Sequence, residues 1–540
     1  MFIRLYLLFF IFFHLVIYAE DIWLEELHGL TFIQKVDEEN PLAAENFSNG
    51  INIVDVYVPD EKAFIEEMQQ FLGLPLELSL IKEIKQQVVQ YYQKRGFLLV
   101  SVLVPSEQDI SNGILKVIIN IGRLGKIKAS GAKYFSNEKL ASELRVKEGE
   151  YLQKDVILSD LNWMNQNPFR ASDVILEQGE NFGETDLTLS TIDRKPLRFF
   201  EGYENTGNQI AGSSRFLTGI NLGNLFRSGH QLNYLFRFSP QFNKWWGHSG
   251  SYIAPLPWRH ILEAYGFYTH AKPDVDVDFN SKGKSWQLAG RYKIPFQTGV
   301  LNNLIFIGYE FQRSNNFLTF GDTLLFDRYI DISQFLVGYE AFIEYKAGKT
   351  KIGAEIFLSP GNMTAFNNDQ SFAQEQEGAK SNYIFGRTRL EQTVYMPNGA
   401  FWWLDILFQQ ASGKLLPTEQ FSLGGFYTIR GYDENEVIGD NGVLIKNELH
   451  LLLISLPPKK RYHQIQFLGF IDYGWTYDVN QNILSKDVAT LASVGPGVRY
   501  NFENYISFRF DYGWQLNTIR RIVDPSSKKS RAHLSLIVSY

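Results

Sequence analysis

The stretch Ile506-Ser507-Phe508-Arg509-Phe510-Asp511-Tyr512-Gly513-Trp514 decides the fold. Its even-numbered positions are all apolar or aromatic, whereas its odd-numbered positions are Ser, Arg, Asp and Gly. Successive side chains of a β-strand point to opposite faces, so this stretch predicts a strand with one apolar and one polar face. Residues 232–238 and 534–540 repeat the alternation. One face can contact lipid and the other water, which favours an outer-membrane β-barrel over the alternative, a soluble β-sandwich.

The composition agrees with a barrel. The chain has 540 residues, of which 15% are aromatic and 21% charged, a mixture that is unusual for a helical membrane protein. In a barrel only alternate residues face lipid, and aromatic girdles line both interfaces. The net charge of -7 argues against a nucleic-acid partner, which would require a basic surface. The absence of cysteine excludes disulfides, thiolate metal sites and cysteine nucleophiles.

The N-terminus has the pattern of an export signal. Arg4 precedes an apolar run over residues 5–17, and Ala19 precedes two acidic residues. We interpret residues 1–19 as a signal peptide cleaved after Ala19. The alternative is an uncleaved anchor helix, but the run is shorter than the roughly 20 apolar residues that a span needs. No other stretch is as long, so the exported chain is expected to enter a membrane only as a closed barrel.

Two small α+β units are predicted before the barrel. Residues 20–46 are a short N-terminal segment or linker, and residues 47–123 and 124–194 each have the order β-α-α-β-β. The helix and strand positions of the first unit are residues 51–58, 61–72, a helix containing Ile81, Ile84 and Val88 that ends at Gly96, 98–104 and 113–121. Those of the second are residues 125–130, 137–144, 154–165, 171–177 and 185–192. Each unit is expected to have a three-stranded sheet whose free edge can accept an extended peptide.

The rest of the chain, residues 195–540, is predicted to form the barrel. Helical periodicity disappears there, and alternating strands are separated by turns rich in Gly, Asn, Asp and Ser. At roughly 21 residues per strand and connection, this length gives about sixteen antiparallel strands, an even number as such barrels prefer.

Three motifs resemble those of a known family. The segment FSLGGFYTIRGY at residues 421–432, followed by Gly439-Asp440-Asn441-Gly442, resembles the loop signature of two-partner secretion transporters, the haemolysin and filamentous-adhesin secretion/activation proteins. Phe470-Ile471-Asp472-Tyr473-Gly474 resembles the family's barrel-strand motif of the form F-x-D-x-G. Asn167-Pro168 and residues 179–187 look like the end of the second of the family's periplasmic POTRA domains.

The resemblance implies a gating loop inside the barrel, with Arg430 paired to Asp472. In the strand over residues 464–475, Phe467, Ile471 and Tyr473 fall on the lipid face, which directs Asp472 inward. From spacing alone, the alternative interpretation is that Arg430 and Asp472 form an ordinary lumen ion pair with little effect on stability. The residues carried over are the loop motif Thr428, Ile429, Arg430, Gly431 and Tyr432, the wall motif Phe470, Asp472 and Gly474, and the loop support Gly424, Gly425, Gly439, Asp440 and Gly442. Five other inward charges are interpreted as ordinary lumen lining, namely Arg387, Arg389, Glu391, Lys446 and Glu448.

The resemblance also implies a function. It predicts an outer-membrane pore of a Gram-negative bacterium whose POTRA domains capture an unfolded, large secreted partner of adhesin, haemolysin or toxin type. Secretion would need no nucleotide hydrolysis. Further expected partners are periplasmic chaperones, outer-membrane lipid and lipopolysaccharide, with no nucleic acid, cofactor or metal. About 27 residues precede the first POTRA domain, barely enough for a short plug helix, so occlusion of the pore is expected to fall to the loop alone.

Competing functions remain open at this stage. The sequence contains no G-x-S-x-G, phosphate-loop or H-E-x-x-H pattern, so the chain is expected not to be an enzyme. A protease or phospholipase barrel needs only scattered Ser, His and Asp residues and stays an alternative. The leading rival is a barrel-assembly or other export factor of the same superfamily. A passive porin is the second rival, although porins lack POTRA-like units and the R-G-Y loop.

Overall fold

The computed structural model describes residues 22–34, 48–181, 183–208, 211–273, 279–320, 323–457, 462–479, 488–517 and 529–540. The predicted signal peptide, residues 1–19, lies outside the described residues. The chain divides into an N-terminal unit, formed by residues up to 132 with 136–164 and 172–192, and a barrel unit, formed by residues 133–135, 165–171 and 193–540. No described helix is long and apolar enough to cross a membrane.

The first α+β subdomain of the N-terminal unit has a four-stranded sheet. Its elements are β1 (Gly29–Ile33), β2 (Gly50–Val54), α1 (Glu61–Gln69), α2 (Leu78–Lys94), β3 (Val100–Leu103) and β4 (Ile114–Ile121). The strand order is β2-β1-β4-β3. Strand β1 is parallel to both of its neighbours, and β3 is antiparallel to β4.

The position of β1 corrects the sequence prediction in two ways. The segment 20–46 was predicted to be a linker and the sheet to have three strands, whereas Gly29–Ile33 supplies a fourth, central strand. All five residues of β1 are buried. A strand buried on both faces loses the alternation that marks a half-exposed strand. The described residues 22–34 contain no helix. The predicted boundaries at residues 124 and 195 stay predictions.

Aromatic residues of α1 and α2 form the core of this subdomain. Phe64 of α1 packs edge-to-face on Phe32 and Tyr91, with ring centroids 4.8 Å apart in both pairs. The hydroxyl of Tyr91 donates to the carbonyl of Pro59 at 2.5 Å, and that of Tyr92 donates to the carbonyl of Tyr57 at 2.7 Å. Burial raises the pKa of Tyr92 above its ordinary value. Its hydroxyl therefore stays protonated and remains a hydrogen-bond donor.

The second subdomain follows the predicted order of elements. These are β5 (Arg123–Ser130), α3 (Asn137–Ser142), α4 (Lys154–Met164), β6 (Arg170–Gln178) and β7 (Glu184–Asp193). The sheet order is β5-β7-β6, with β5 parallel to β7. The side chain of Ser136 caps α3 by accepting a hydrogen bond from the backbone N–H of Lys139 at 3.2 Å.

The barrel is closed and has sixteen antiparallel strands, as the strand spacing predicts. Its first eleven strands are β8 (Leu197–Glu204), β9 (Arg215–Leu225), β10 (His230–Phe238), β11 (Trp245–Pro255), β12 (Ile261–Ala271), β13 (Phe279–Thr298), β14 (Leu301–Phe320), β15 (Thr323–Tyr345), β16 (Gly348–Pro360), β17 (Asn382–Tyr395) and β18 (Phe401–Ala411). Helix α5 (Asp369–Glu375) lies between β16 and β17, and a short hairpin of β19 (Phe421–Leu423) and β20 (Val437–Gly439) follows β18. The remaining strands are β21 (Asn441–His450) with its continuation β22 (Ile454–Ser455), β23 (His463–Tyr477), β24 (Ala489–Phe502), β25 (Ile506–Gln515) and β26 (Ser530–Ser539). Pairing of β26 with β8 closes the wall.

The strands alternate as predicted between a lipid-facing and a lumen-facing side. On β23, Phe467, Ile471 and Tyr473 are 44%, 58% and 41% exposed, whereas Phe470 and Asp472 are buried. We call the end where β8 begins and β26 finishes the lower end, and the opposite end the upper end. Strands β13, β14 and β15 have 20, 20 and 23 residues, more than the roughly 9–11 that a span requires. They therefore extend beyond the bilayer at the upper end.

A charge in the middle of the lipid face should destabilise the barrel. Val337 on β15 is 54% exposed and lies between the outward-facing Phe335 and Tyr339. We expect Val337→Arg to reduce the free energy of folding into lipid vesicles by about 2–4 kcal/mol, because an arginine at this depth is poorly solvated. Denaturant titration of the folded, electrophoretically heat-modifiable barrel measures the change.

Tyr345 on the same strand supplies the matched control. It also faces outward but lies next to the turn at the lower end. Near an interface the same substitution costs only about 0–1 kcal/mol. Equal losses for Val337→Arg and Tyr345→Arg would contradict the assignment of this face to lipid.

Candidate functional site

The connection between β18 and β21, residues 412–440, folds back into the barrel, and we call it the inner loop. It starts at the upper end and contains the β19–β20 hairpin. Its tip contacts side chains on the inner faces of β21, β23, β25 and β26. Because these side chains belong to the lumen-facing set of each strand, the inner loop occupies the lumen.

Arg430 at the tip of the inner loop is fully buried among carboxylates. Its Nε and Nη2 atoms donate to the two carboxylate oxygens of Asp472, each at 2.7 Å, in a bidentate pair. Its Nη1 donates to Oε1 of Glu448 at 2.6 Å and lies 3.5 Å from Oδ2 of Asp511. The guanidinium also lies 3.5 Å from the centre of the Phe470 ring. Three different wall strands, β21, β23 and β25, thus hold one side chain of the inner loop.

Two arginines of the wall balance the charge of this group. Arg499 Nη1 lies 2.7 Å from Oδ1 of Asp511, and Arg509 Nε lies 2.8 Å from its Oδ2. Together with Arg430 they match the three carboxylates, and we call these six residues the guanidinium cluster: Arg430, Arg499, Arg509, Glu448, Asp472 and Asp511. A buried ion pair adds little net stability over an apolar contact, but loss of one partner costs about 3–5 kcal/mol because it leaves an uncompensated charge. The cluster therefore specifies where the inner loop sits.

Gly431 allows the inner loop to meet the wall backbone directly. Its φ of +94° lies in the left-handed region, and a Cβ atom there would come within 2.9 Å of the carbonyl oxygen of Gly513 on β25. A Cβ atom on Gly513 would in turn lie 2.6 Å from the nitrogen of Gly431. The Gly431 N–H donates to Nε2 of His533 at 2.9 Å. Neither glycine can be replaced without moving the tip of the loop.

Other residues of the tip connect to the strands that close the barrel. The hydroxyl of Tyr432 is hydrogen-bonded to the carbonyls of Ala492 at 2.9 Å and Asn517 at 2.5 Å. Asp433 forms an ion pair with Arg531 of β26. Arg531 also donates to the carbonyl of Gly207, after β8, at 3.0 Å. The inner loop is thereby linked to the segment where β26 meets β8.

The base of the inner loop is held by strands β15, β17 and β18. Glu419 accepts a hydrogen bond from the side chain of Gln334 on β15 at 3.3 Å. Its backbone carbonyl accepts from Gln409 on β18 at 3.0 Å and from Arg387 on β17 at 3.3 Å. Tyr383 donates to Gln334 at 2.9 Å and completes this network. The inner loop thus crosses the lumen between two anchored ends.

The predicted support residues lie at the root and the flanks of the loop. Asp440 accepts hydrogen bonds from the backbone N–H groups of Leu415 at 2.8 Å and Val479 at 2.9 Å. Gly442 leaves room for the ring of Phe421, which a Cβ atom would approach to 2.3 Å. Gly474 lies against the side chain of Ile429 in the lumen, and a Cβ atom at position 474 would come within 3.1 Å of it. Gly424 and Gly425 form the turn after β19, Gly439 ends β20, and Thr428 is the second residue before Arg430.

The interpretation of Glu448, Lys446 and Arg387 as ordinary lumen lining was wrong. Glu448 contacts Arg430 directly, and Lys446 and Arg387 donate to the backbone carbonyls of Tyr427 and Glu419 in the inner loop. Asp511 and His533 were not predicted as site residues. A signal for Asp511 existed, since it is the one carboxylate on the polar face of the strand at residues 506–514. The partners of Glu419 could not be predicted, because they depend on which wall strand the base of the loop reaches. Among the described residues, no cluster of His, Asp or Glu could hold a metal ion.

Comparisons with known proteins give a consistent result. Residues 183–500 match the family model of the haemolysin secretion/activation protein ShlB/FhaC/HecB, and residues 49–122 match the POTRA domain of ShlB type. The Heme/hemopexin transporter protein HuxB of Haemophilus influenzae is 23% identical over 466 residues, covering 82% of this chain and 78% of that protein. The outer membrane transporter CdiB of Escherichia coli strain 536 is 22% identical over 436 residues, covering 78% and 71%. The structure of CdiB from Escherichia coli superposes with a TM-score of 0.77 at 16% identity, over 95% of this chain and 91% of the other.

Loss of the carboxylate that pairs with Arg430 should release the loop. In Asp472→Ala the guanidinium keeps Glu448 and Asp511 but loses its bidentate partner, so the anchored state should lose about 3–5 kcal/mol relative to the released state. We expect larger and more frequent openings in single-channel recordings of the purified protein in planar bilayers.

Asp405→Ala is the matched control. Asp405 is also buried and forms a bidentate pair, with Arg389 of the wall at 2.8 and 3.0 Å, and no contact of this pair with the inner loop is found in the described part of the chain. Its channel recordings should resemble those of the unmodified protein. Similar recordings from Asp472→Ala and the unmodified protein would show that the cluster does not hold the loop.

Proposed function

The chain belongs to the haemolysin secretion/activation protein family, and we propose that it secretes a large, unfolded partner protein through its lumen to the cell surface. It is an outer-membrane β-barrel whose POTRA domain lies in the periplasm. Members of this family are transporters and not enzymes. The lower end of the barrel is therefore the periplasmic end, and the upper end faces the cell surface.

The complete burial of Arg430 inside the guanidinium cluster is the observation that carries the proposal. The cluster fixes the loop in the lumen through contacts that can be broken, so the loop can block the pore and can also be released from it. The tip is held by side-chain and backbone contacts to the wall, and the strand pairing of the wall does not include it. It can consequently leave the lumen while the barrel stays closed. We infer that the inner loop is the gate and that its release opens a path for an extended chain.

Net direction would come from the partner and not from a nucleotide. The periplasm supplies no nucleotide triphosphate, and the chain has no phosphate-binding loop. A domain that folds outside the cell gains about 5–15 kcal/mol, which disfavours the unfolded, re-entering form by a factor of more than about 10³. The transporter would then supply only a path and a gate. Chaperones in the periplasm would keep the partner unfolded until it arrives.

Capture of the partner is assigned to the POTRA sheets. Strand β2 lies at one edge of the first sheet and β6 at one edge of the second. An extended segment can add to such an edge through backbone hydrogen bonds, while alternate side chains fill neighbouring pockets. On β6, Ile175 is 49% exposed and offers an apolar contact. The family resemblance implies that the partner is a large adhesin, haemolysin or toxin.

Arg430→Ala tests the gate. We expect it to abolish secretion of the partner protein, because a loop without its anchor cannot return to the position from which regulated opening starts. Secretion is measured as the amount of partner in the culture medium, with the barrel in the outer membrane quantified in the same cells.

Arg389→Ala is the control, since Arg389 forms a bidentate ion pair with the buried Asp405 of the wall, away from the cluster. It should secrete at least half of the normal amount. If Arg430→Ala secreted normally at normal barrel levels, the inner loop would not be required for secretion. This conclusion would hold independently of the channel recordings of Asp472→Ala.

Photo-crosslinking tests the capture step. A photoreactive residue at Ile175 of β6 or at Asn52 of β2 should crosslink to the partner in cells whose secretion is stalled, because both positions lie on edge strands. Glu66 on α1 is exposed but lies on a helix and serves as the control position. Crosslinks from Glu66 alone would assign capture to the helical face.

A further inference from the structure

Three lysines lie together on the lipid-facing side of the barrel at its upper end. Lys272 follows β12, and Lys282 and Lys284 are alternate residues of β13. All three are exposed, and all three carry charges that act on the imidazole of His270. His270 is the direct cross-strand partner of Lys284. Lys272 and Lys282 are the next outward-facing positions on the two strands, so the three lysines are neighbours on the outer surface, and we call them the lysine triad.

Aromatic side chains lie directly below the lysine triad. Trp246 on β11 stacks on His270, with centroids 5.5 Å apart and planes 16° apart, and its ring lies 5.5 Å from that of Tyr268. Trp286 is two residues below Lys284 on the same face of β13. Rings of this kind form the girdle where a barrel leaves the hydrocarbon core. The lysine triad is therefore at the height of the lipid headgroups of the outer leaflet.

The charge of the lysine triad is uncompensated within the part of the chain that the structure describes, where none of the three ammonium groups forms an ion pair. Lys282 Nζ lies 6.0 Å from the ring centre of Phe317. Arg313, the cross-strand partner of Trp286, shows the contrast, since it is neutralised by Asp331 at 2.7 and 2.8 Å. Lys282 and Lys284 project side by side about 7 Å apart, as alternate residues of a strand do. Such a spacing suits two anionic groups on one headgroup.

We propose that Lys272, Lys282 and Lys284 bind the phosphate groups of a lipopolysaccharide headgroup in the outer leaflet. Lysine is a compact point charge suited to phosphate, and a basic patch beside a membrane attracts anionic headgroups. Trp246 and Trp286 would contact the sugars and the start of the acyl chains below. The site concerns how the barrel is held in its membrane, so it does not depend on the secretion mechanism.

The test is native mass spectrometry of the purified full-length protein titrated with lipopolysaccharide. The variant Lys272→Gln/Lys282→Gln/Lys284→Gln should bind about 100-fold more weakly at low salt, which is about fivefold for each lysine. Heat-modifiable migration in electrophoresis shows that its barrel is folded. The matched control, Lys195→Gln/Lys346→Gln/Lys349→Gln, removes three exposed lysines near the lower end and should bind normally.

Binding of two further ligands shows which chemical group the triad binds. Lipopolysaccharide stripped of its phosphates should bind as weakly to the unmodified protein as the intact form binds to the triad variant. Phosphatidylglycerol should bind at least tenfold more weakly than lipopolysaccharide.

Asp274, Asp276 and Asp278 lie between Lys272 and β13 in the sequence but outside the described residues. Neutralising them to Asn should leave lipopolysaccharide binding equal or stronger.

Four results would overturn the proposal. They are unchanged binding by the triad variant, equal binding of the dephosphorylated ligand, equal binding of phosphatidylglycerol, and a loss of binding when the three aspartates are neutralised. The first two would assign the affinity to the aromatic girdle and acyl chains. The third would show that the triad is a general cationic patch that binds any anionic lipid. The fourth would give the aspartates the binding role.

Discussion

The guanidinium of Arg430 holds the tip of the inner loop at one place in the lumen. Ordering a polypeptide segment inside a water-filled cylinder costs about 1–2 kcal/mol per residue in backbone entropy. Apolar residues of the inner loop, among them Leu423 and Ile429, offset part of that cost by packing against the wall. Directional contacts then determine where the tip lies. The bidentate pair with Asp472, the contact with Glu448 and the balancing arginines around Asp511 provide them at one place. The position of the tip of the inner loop depends on this cluster.

The two ends of the inner loop are anchored by different chemistry. The tip is held by six formal charges and a backbone contact at Gly431 and Gly513. The base is held by hydrogen bonds around Glu419 and by burial of Leu415 and Leu416 in an apolar cluster. A charged cluster is stable only when complete, so loss of one member weakens the whole group. The tip is therefore the end at which a partner protein could release the loop by competing for one residue.

The barrel could be predicted from sequence because each half-exposed strand carries its own pattern. Residues 506–514 and 464–475 show which side chains face lipid, and the structure places them accordingly. Strand β1 could not be predicted, because burial on both faces removes the alternation. The pairing of Arg430 with Asp472 came from resemblance to a family and not from spacing. The roles of Glu448 and Glu419 depend on which strands meet across the lumen, and a linear pattern does not contain that information.

The inner loop is joined covalently to neighbouring strands, β18 and β21, at both of its ends. A displaced tip consequently remains tethered near its binding site, at an effective concentration on the order of millimolar. Reclosure is then a unimolecular event that needs no second protein and becomes available as soon as the lumen is empty. Under the proposed gating mechanism, the pore would limit leakage between successive passengers, and the cargo would set the duration of each opening.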